Sequence, residues 1–375
     1  MFLLRFLRRL FKLVLFLIIL VILVPIVGLG YGFLTTSSID RTALPGTTDS
    51  APPATLAEEI RTGISGYERP EEATYLGYPE GSILQQARDY ASFVKAGDAS
   101  GFPFLGYVGR FWQDYAMAIR ATSDQSFDFS QHGVLVAAGT GYTIDSFVQF
   151  AYENTIGRLT EWASGKRTAA DGQLAANAAD YAGFLATTPW YAYPYAGKRA
   201  ALLAVAPAAN DDMVRSTERR WAFVAAYSVK QGVADLTRLA MAGRAPASPD
   251  IHVWAKGPVS EAIRPERETY LERDMGKDGA VFMTRRQQAF TGMIPRLIER
   301  GLSFVEIGGN DEILMTMLSP ETVSPPQGSR VLFSYPVPAT PDLTRTALIV
   351  AVRKLHTVLP ELTGAGVKLE QIFDY

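Results

Sequence analysis

Residues 13–34 read LVLFLIILVILVPIVGLGYGFL, an uncharged segment that constrains this chain more than any other feature. A helix of these 22 residues spans about 33 Å, which matches a hydrocarbon core of about 30 Å. The residues before the segment include no acidic residue and four basic ones, Arg5, Arg8, Arg9 and Lys12. By the positive-inside rule, we predict a single transmembrane helix at 13–34, a cytoplasmic basic flank at 1–12 and an extracytoplasmic remainder.

A cleaved signal peptide is the alternative interpretation, because signal peptides also begin with basic residues and an apolar run. Their apolar core is about 7 to 15 residues long, which is shorter than this segment. The residues that follow, GYGFLTTSSIDRTALPG, offer no clear small-x-small cleavage site. We therefore favour an uncleaved anchor that contacts the lipid bilayer through residues 13–34.

Glycines occupy positions 28, 30 and 32 in the second half of the segment. They could form a small-residue face for helix pairing, but glycine is common in spanning helices, so we attribute them to composition. The GLGYG run does not follow a strand, and a dinucleotide-binding loop is therefore not predicted.

Charge and cysteine content exclude several functional classes. The chain has 36 Lys and Arg against 38 Asp and Glu, a formal charge of −2, so it has no basic field for nucleic acid. It contains no cysteine, which excludes disulfides, thiolate metal sites and a cysteine nucleophile. The missing cysteine and the alanine- and arginine-rich composition favour a bacterial inner-membrane protein with a periplasmic C-terminal region.

Changes in composition divide the rest of the chain into a linker and two domains. Residues 35–77 are rich in Ser, Thr, Pro and Gly and form the linker, which carries a short predicted helix at 56–64. Apolar residues with helical spacing then predict a mainly α-helical domain at 78–245. The proline-rich segment AGRAPASPD separates that domain from a small α+β domain at 246–375.

The α+β domain mixes two periodicities. Short strands are predicted at 302–307 and 312–318, and the Gly-Gly-Asn-Asp turn at 308–311 should join them as a β-hairpin. A threonine followed by proline predicts the start of a helix over 340–359. We expect helices on one face of a single, mostly antiparallel sheet, and no internal repeat is visible.

Glu153, in the sequence AYENTIGRLTEW, is a weak catalytic candidate. Glu161 lies about 12 Å further along a helix axis, beyond the separation of about 5 to 9.5 Å in a glycosidase pair. A glutamate beside arginines more often forms an interhelical ion pair. We therefore expect Glu153 to pair with Arg158 or Arg110, and a catalytic role with an acid from another segment is the alternative.

Four aromatic residues lie within six positions, at Trp190, Tyr191, Tyr193 and Tyr195. Such a cluster can stack on sugars, bind a partner or contact lipid headgroups. A proline-kinked loop that packs in the helical core explains it as well, and we favour this explanation. The four residues are the possible contact surface that the sequence offers.

Neither a metal site nor a cofactor site is predicted. The three histidines, His132, His252 and His356, are far apart in sequence, whereas a metal site needs three or four convergent donors. Glu306, Asp311 and Glu312 flank the glycine turn and could hold a cation, but turn chemistry explains the sequence of the turn sufficiently.

Three functional classes remain open. We favour a membrane-anchored, non-enzymatic scaffold or accessory subunit of the bacterial cell envelope, which needs no catalytic constellation. An envelope enzyme would act on glycan or lipid through carboxylates such as Glu153. A carrier or sensor for an apolar ligand would use the alanine-rich helices. The predicted partners are the lipid bilayer, through residues 13–34, and an envelope protein.

Overall fold

The computed structural model shows a mainly helical chain that ends in small antiparallel sheets. It describes residues 12, 19, 22–39, 44, 51–70, 72–97, 99–124, 127, 129–164, 168–206, 208, 211–241 and 248–373. Within these residues, no helix is both long and apolar enough to cross a membrane, so the transmembrane helix predicted at 13–34 is unconfirmed. Residues 13–18 and 20–21 of that segment lie outside the described ranges.

Helices dominate the chain up to residue 241. The first, α1, covers the described residues 22–35. It is followed by α2 (Ala54–Gly63), α3 (Glu72–Ala96), α4 (Phe104–Ala121), α5 (Phe129–Tyr152), α6 (Arg158–Ser164), α7 (Ala169–Leu185), α8 (Tyr195–Ala204) and α9 (Met213–Met241). A π-helical turn, Glu153–Gly157, joins α5 to α6. The short helix predicted at 56–64 is present as α2.

The helix α4 lies at the centre of the helical part. Its apolar residues recur at spacings of three and four, so that Phe111, Trp112 and Tyr115 fall on one buried side. These rings pack with residues of α3 and α5 and with the outer face of one sheet. The core of the helical part is therefore continuous with the sheet-containing part.

The C-terminal part contains two four-stranded sheets within the described residues. Sheet A has the strand order β2-β3-β1-β4, sheet B has the order β6-β7-β5-β8, and all neighbouring strands are antiparallel. The elements are β1 (Asp250–Lys256), α10 (Val259–Ile263), β2 (Thr269–Asp274), β3 (Ala280–Arg285), α11 (Gln288–Glu299), β4 (Ser303–Ile307), β5 (Glu312–Ser319), β6 (Ser329–Val337), β7 (Thr340–Ala351), α12 (Leu355–Gly364) and β8 (Lys368–Phe373).

The two sheets are copies of one structural repeat. Each sheet has the same strand order, and the pairing registers correspond. In sheet A, Trp254 of β1 is paired with Val281 and Glu306. In sheet B, Thr316 of β5 is paired with Ala347 and Gln371. The pairing of β1 with β4 shifts after Trp254, and the pairing of β5 with β8 shifts after Thr316, at the same position of the strand. The edge strands β2 and β6 also shift at matching positions. The expectation of no internal repeat was therefore wrong at the level of structure.

The two repeats share one hydrophobic core, and a helix of the first repeat packs on a strand of the second. Val253 and Phe282 of sheet A pack in the same cluster as Met315 and Leu348 of sheet B. The helix α11 of the first repeat packs on β8 of the second, where Thr291 Oγ1 accepts a hydrogen bond of 2.9 Å from the backbone N–H of Ile372. The prediction of one sheet with helices on one face was wrong, because two sheets enclose the core.

Two local predictions in this part were also wrong. The turn at 308–311 does not close a hairpin: it takes the chain from β4 in sheet A to β5 in sheet B. Positive φ at Gly308 and Gly309 is present as the turn chemistry requires. The segment predicted as a helix at 340–359 is the strand β7 up to Ala351; a 3-10 turn follows at Val352–Lys354, and the α-helix α12 begins at Leu355.

The outer faces of the two sheets are covered by different helices. On sheet A, Ile60 of α2 and Tyr67 pack against Trp254, so the linker expected at 35–77 contains residues of the folded core. On sheet B, Tyr78 of α3 packs against Phe373. The helix α3 begins at Glu72, before the boundary predicted at 78.

Candidate functional site

A cluster of buried charged residues lies where the π-helical turn meets α9. We call it the π-turn cluster, and its members are Glu153, Asp171, Arg215, Glu218 and Arg219. Three of them are almost completely buried, with relative exposures of 3% for Glu153 and 1% for both arginines. A buried charge is stable only when it is paired and hydrogen-bonded, so each group in this cluster needs a defined partner.

Glu153 pairs with Arg219, which lies on α9. Arg219 Nη1 donates to Glu153 Oε1 and Oε2 at 2.7 and 2.8 Å. Asp171 Oδ1 lies 3.1 Å from Arg219 Nε, so the arginine has two acidic neighbours. Burial raises the pKa of Glu153, and the positive charge of Arg219 opposes that rise.

The partners predicted for Glu153 were wrong. Arg158 is exposed, and Arg110 pairs with Asp114 at an Nε–Oδ1 distance of 2.6 Å. The true partner, Arg219, is 66 residues away along the chain. A search for charges at helical spacing cannot find a partner on another helix, because Glu153 meets Arg219 only where α6, next to the π-helical turn, packs on α9.

The π-helical turn itself shapes the cluster. Arg215 Nη1 donates to the carbonyl oxygen of Gly157, at 2.8 Å, and so satisfies a polar atom of the turn. A Cβ atom on Gly157 would lie 2.8 Å from Glu153 Oε2, too close for that carboxylate to keep its position. Glycine at 157 therefore allows Glu153 to fold back beside the helix. Such π-helical turns occur frequently at functional sites.

Glu218 is a member of the cluster that the sequence did not single out. It accepts a hydrogen bond from Thr160 Oγ1 at 3.0 Å and another from Tyr152 Oη, and it lies 3.2 Å from Arg215 Nη1. Burial raises the pKa of Glu218 to about 7, with Arg219 opposing the rise. The signal in the sequence was the spacing of Arg215, Glu218 and Arg219 on one turn of α9.

The chemistry of the π-turn cluster is compatible with two roles. A carboxylate with a pKa near 7 can exchange a proton at neutral pH, which is a property of acid–base catalysts. Structural ion-pair networks raise pKa values in the same way. Both oxygens of Glu153 accept hydrogen bonds from Arg219, which is the arrangement of a structural pair.

The aromatic residues at 190–195 fall into two groups. Tyr193 and Tyr195 are each 2% exposed and pack with Tyr181, Phe184 and Tyr227 in a cluster between α7, α8 and α9. Tyr193 Oη also donates to Asp180 Oδ2 at 2.8 Å. Trp190 and Tyr191 are only partly buried, so a contact role remains a prediction for these two residues.

Other residues considered for cation binding are placed in separate contacts. Glu306 accepts hydrogen bonds from Arg61 Nη2 and Tyr67 Oη, both at 2.9 Å, and thereby fastens α2 to sheet A. Asp311 accepts from Arg353 Nη2 at 2.6 Å. In the part of the chain that the structure describes, no group of three or more His, Asp or Glu side chains is arranged to hold a metal ion.

A second buried charge network joins the helical part to sheet B, and no local pattern predicts it. Arg345 of β7 is 1% exposed and donates to Glu370 at 2.6 and 2.7 Å. Arg110 of α4 lies over the ring of Tyr335, 4.1 Å from its centroid, and bonds to the buried Asp114. Buried networks of this kind require a particular packing of the elements that carry them.

Comparison with known proteins gives no functional lead: no family model, no curated protein and no solved structure matches the chain. Its function is therefore inferred from the residues and their geometry.

Proposed function

We propose that this protein is a membrane-anchored, non-enzymatic scaffold or accessory subunit of the bacterial cell envelope. Residues 13–34 anchor it in the inner membrane, residues 1–12 lie in the cytoplasm, and the remainder lies in the periplasm and binds an envelope protein. The observation that carries the proposal is the close packing of α1, the described end of the uncharged segment, onto α4.

Glycines make this packing possible. A Cβ atom on Gly28 would lie 2.3 Å from the ring of Trp112, and one on Gly32 would lie 2.2 Å from the backbone oxygen of Trp112. Arg120 Nη2 donates to the carbonyl oxygen of Phe33 at 2.9 Å and secures the end of α1. Gly28 and Gly32 thus serve this contact, because any side chain at 28 or 32 would push α1 away from α4, whereas Gly30 has open space around it.

The hydrogen-bonded pairing of the buried carboxylates supports a structural role. Glu153 is held by Arg219, Glu306 by Arg61 and Tyr67, and Asp114 by Arg110. Each of these three carboxylates is itself buried and bonded to a side chain of the same chain, so none is open to a substrate. Buried ion pairs of this kind fix helices and sheets relative to one another, as we expect in a protein that holds a partner in a fixed position.

Fusion of a reporter that is active only in the periplasm tests the topology. A reporter placed after Tyr375 should be active, and the extracted full chain should retain its N-terminal residues. Affinity purification of the membrane-extracted protein should then recover an envelope protein in constant proportion. An inactive reporter contradicts the orientation, and a mature protein that begins near residue 38 contradicts the anchor.

A further inference from the structure

The exposed positions of α1, of α5 and of the part of α9 up to residue 233 carry no charge. On α5, the exposed positions between 131 and 152 are Gly133, Val134, Ala137, Gly141, Phe147 and Val148. On α9, every exposed position from 213 to 233 is uncharged, with Trp221 and Val229 among the most open. The exposed positions of α1 are likewise uncharged, from Ile22 to Leu34. Soluble monomers rarely expose contiguous apolar patches larger than a few hundred Å².

These three faces adjoin one another. The ring of Trp112 touches α1 at Gly28, and its Nε1 donates to Thr143 Oγ1 on α5 at 2.9 Å, so α1 and α5 flank the same side chain. On the other flank of α5, Asp145 pairs with Lys230 of α9 at 2.9 Å. Successive side chains on an α-helix are rotated by about 100°, so the exposed residues of α5 lie between Thr143 on one side of the helix and Asp145 on the other. The order across the surface is therefore α1, α5, α9.

The chain itself indicates what covers this surface. The helix α1 is the C-terminal end of the uncharged segment 13–34, and its exposed residues continue the apolar run that the basic flank 1–12 precedes. A surface that adjoins α1 is brought to the same bilayer as that segment. Trp162 and Trp221 are exposed on α6 and α9, and tryptophan is favoured at the boundary between membrane and water.

We propose that the uncharged faces of α1, α5 and α9 form one lipid-contacting surface, which lies in the headgroup and upper acyl region of the bilayer. The inference rests on the proposed function, because the anchor at 13–34 brings the bilayer to this surface. Charged residues at its margins, such as Asp145 and Lys230, are paired with each other and do not interrupt it. The helical part would then lie against the membrane with the two sheets beyond it.

Site-directed fluorescence tests the proposal, because the chain contains no cysteine and each label is unique. Val148→Cys on α5 and Val229→Cys on α9 place an environment-sensitive probe on the surface, at side chains that are 59% and 67% exposed. Tyr270→Cys on β2 is the matched control, at a side chain 60% exposed. The labelled full chains are reconstituted into phosphatidylcholine and phosphatidylglycerol vesicles that contain lipids with a nitroxide in the upper acyl chain.

The probes at 148 and 229 should lose about half or more of their emission to the lipid nitroxide, because they lie within the headgroup and acyl boundary. They should be protected from aqueous iodide, whereas the probe at 270 should respond to iodide and not to the nitroxide. An unchanged far-UV spectrum and thermal midpoint establish that each labelled chain is folded. Phe147→Cys replaces Val148→Cys if the latter chain does not fold.

A further label at Ile26→Cys on α1 separates failure of this inference from failure of the proposed function. If 26 responds to the lipid nitroxide but 148 and 229 respond only to iodide, the surface proposal is overturned and the anchor stands. If 148 and 229 are shielded from both quenchers, a protein covers the surface, which also overturns contact with lipid. If 26 itself responds only to iodide, the anchor fails, and with it both proposals.

Discussion

The substitution Glu153→Gln removes one charge from the buried pair with Arg219 and preserves the shape of the side chain. In the parent protein, both glutamate oxygens accept from Arg219 Nη1, at 2.7 and 2.8 Å. In the variant one oxygen can still accept, but the amide nitrogen is a donor that cannot bond to the guanidinium. Arg219 would keep Asp171 at 3.1 Å as its remaining acidic neighbour.

The expected loss of stability follows from these contacts. Removal of one partner of a buried ion pair costs about 3 to 5 kcal/mol, because the other charge is left buried and uncompensated. The amide oxygen of the variant can still accept from Arg219 and offsets part of this cost, since a hydrogen bond to a charged group is worth about 1.5 to 3 kcal/mol. We therefore expect the free energy of unfolding to fall by about 1 to 3 kcal/mol.

Denaturant unfolding of the full chain in detergent measures this change. Asp235→Asn is the matched control, because it removes an exposed pair with Arg238 on the same helix α9. The control should change the free energy of unfolding by about 0.5 kcal/mol or less. Combining Glu153→Gln with Arg219→Met should destabilise the protein by less than the sum of the single substitutions, since the uncompensated charge is then absent.

A stability of Glu153→Gln at or above that of the parent would refute the structural interpretation of this pair. Catalytic residues are often held in destabilising environments, so their removal tends to preserve or increase stability. If the variant were also to lose its cellular function, the envelope-enzyme alternative would be favoured and a substrate screen justified. Loss of stability with a matching loss of function supports the scaffold.

Three further predictions concern other buried contacts. Burial raises the pKa of Asp114 to about 6, above its unfolded value, so its contribution to stability is greatest below about pH 4 and is lost as pH rises through 6. Denaturant unfolding measures the free energy of unfolding of the parent minus that of Asp114→Asn. This difference should decrease by about 1 kcal/mol between pH 5 and pH 7. Gly32→Ala should lower the thermal midpoint by displacing α1 from Trp112, whereas Gly30→Ala, with open space around it, should not. Fragment 55–375 should unfold cooperatively by circular dichroism, but at a lower temperature than the full chain because it uncovers Trp112; an aggregated product would contradict this.

Local sequence patterns predicted many helices, but not where each one begins. Apolar residues with helical spacing, among them Ile144, Phe147 and Val148, predict a helix over 143–162 that is entered through the GTGY run at 139–142. The helix α5 instead starts at Phe129, and the GTGY run lies inside it. A glycine-rich run normally lowers helix stability. Here the absence of a side chain is required, because a Cβ atom on Gly139 would lie 2.1 Å from the ring of Phe111. Packing against α4 therefore explains the glycine at 139, although local helix propensity favours a helix start there.

The errors in the sheet-containing part have a similar origin. Residues 347–351 of β7 are buried on both faces of the strand, so they form a continuous apolar run without the alternation by which a strand is recognised. The threonine and proline at 340 and 341 then resemble a helix start. The glycine turn at 308–311 was predicted as a turn, but turn chemistry says nothing about which strands pair. Strand pairing and the partner of Glu153 depend on contacts distant in sequence.

The structural repeat shows why local patterns were insufficient. In the shared core, equivalent positions of the two repeats keep apolar character without keeping the residue: Val253 corresponds to Met315, and Phe282 to Leu348. Burial needs only an apolar side chain of suitable size, so two copies can diverge in sequence while their registers remain the same. Comparison of residue identities therefore does not reveal the repeat, although comparison of strand pairing does.

The repeats differ where the N-terminal elements attach, and this difference bears on the proposed scaffold. Glu306 of β4 binds Arg61 and Tyr67 and so holds α2 on sheet A, whereas the equivalent position in β8 is the uncharged Gln371. Sheet B is held instead by α3 and α4, through the network around Arg345. Since α1 packs on α4, the end of the apolar segment is connected to both sheets by packed elements. A domain joined to its anchor by a linker alone would rotate freely. In the proposed scaffold, these two attachments would instead hold the sheets in a fixed orientation relative to the membrane, as is needed to present one face to a partner.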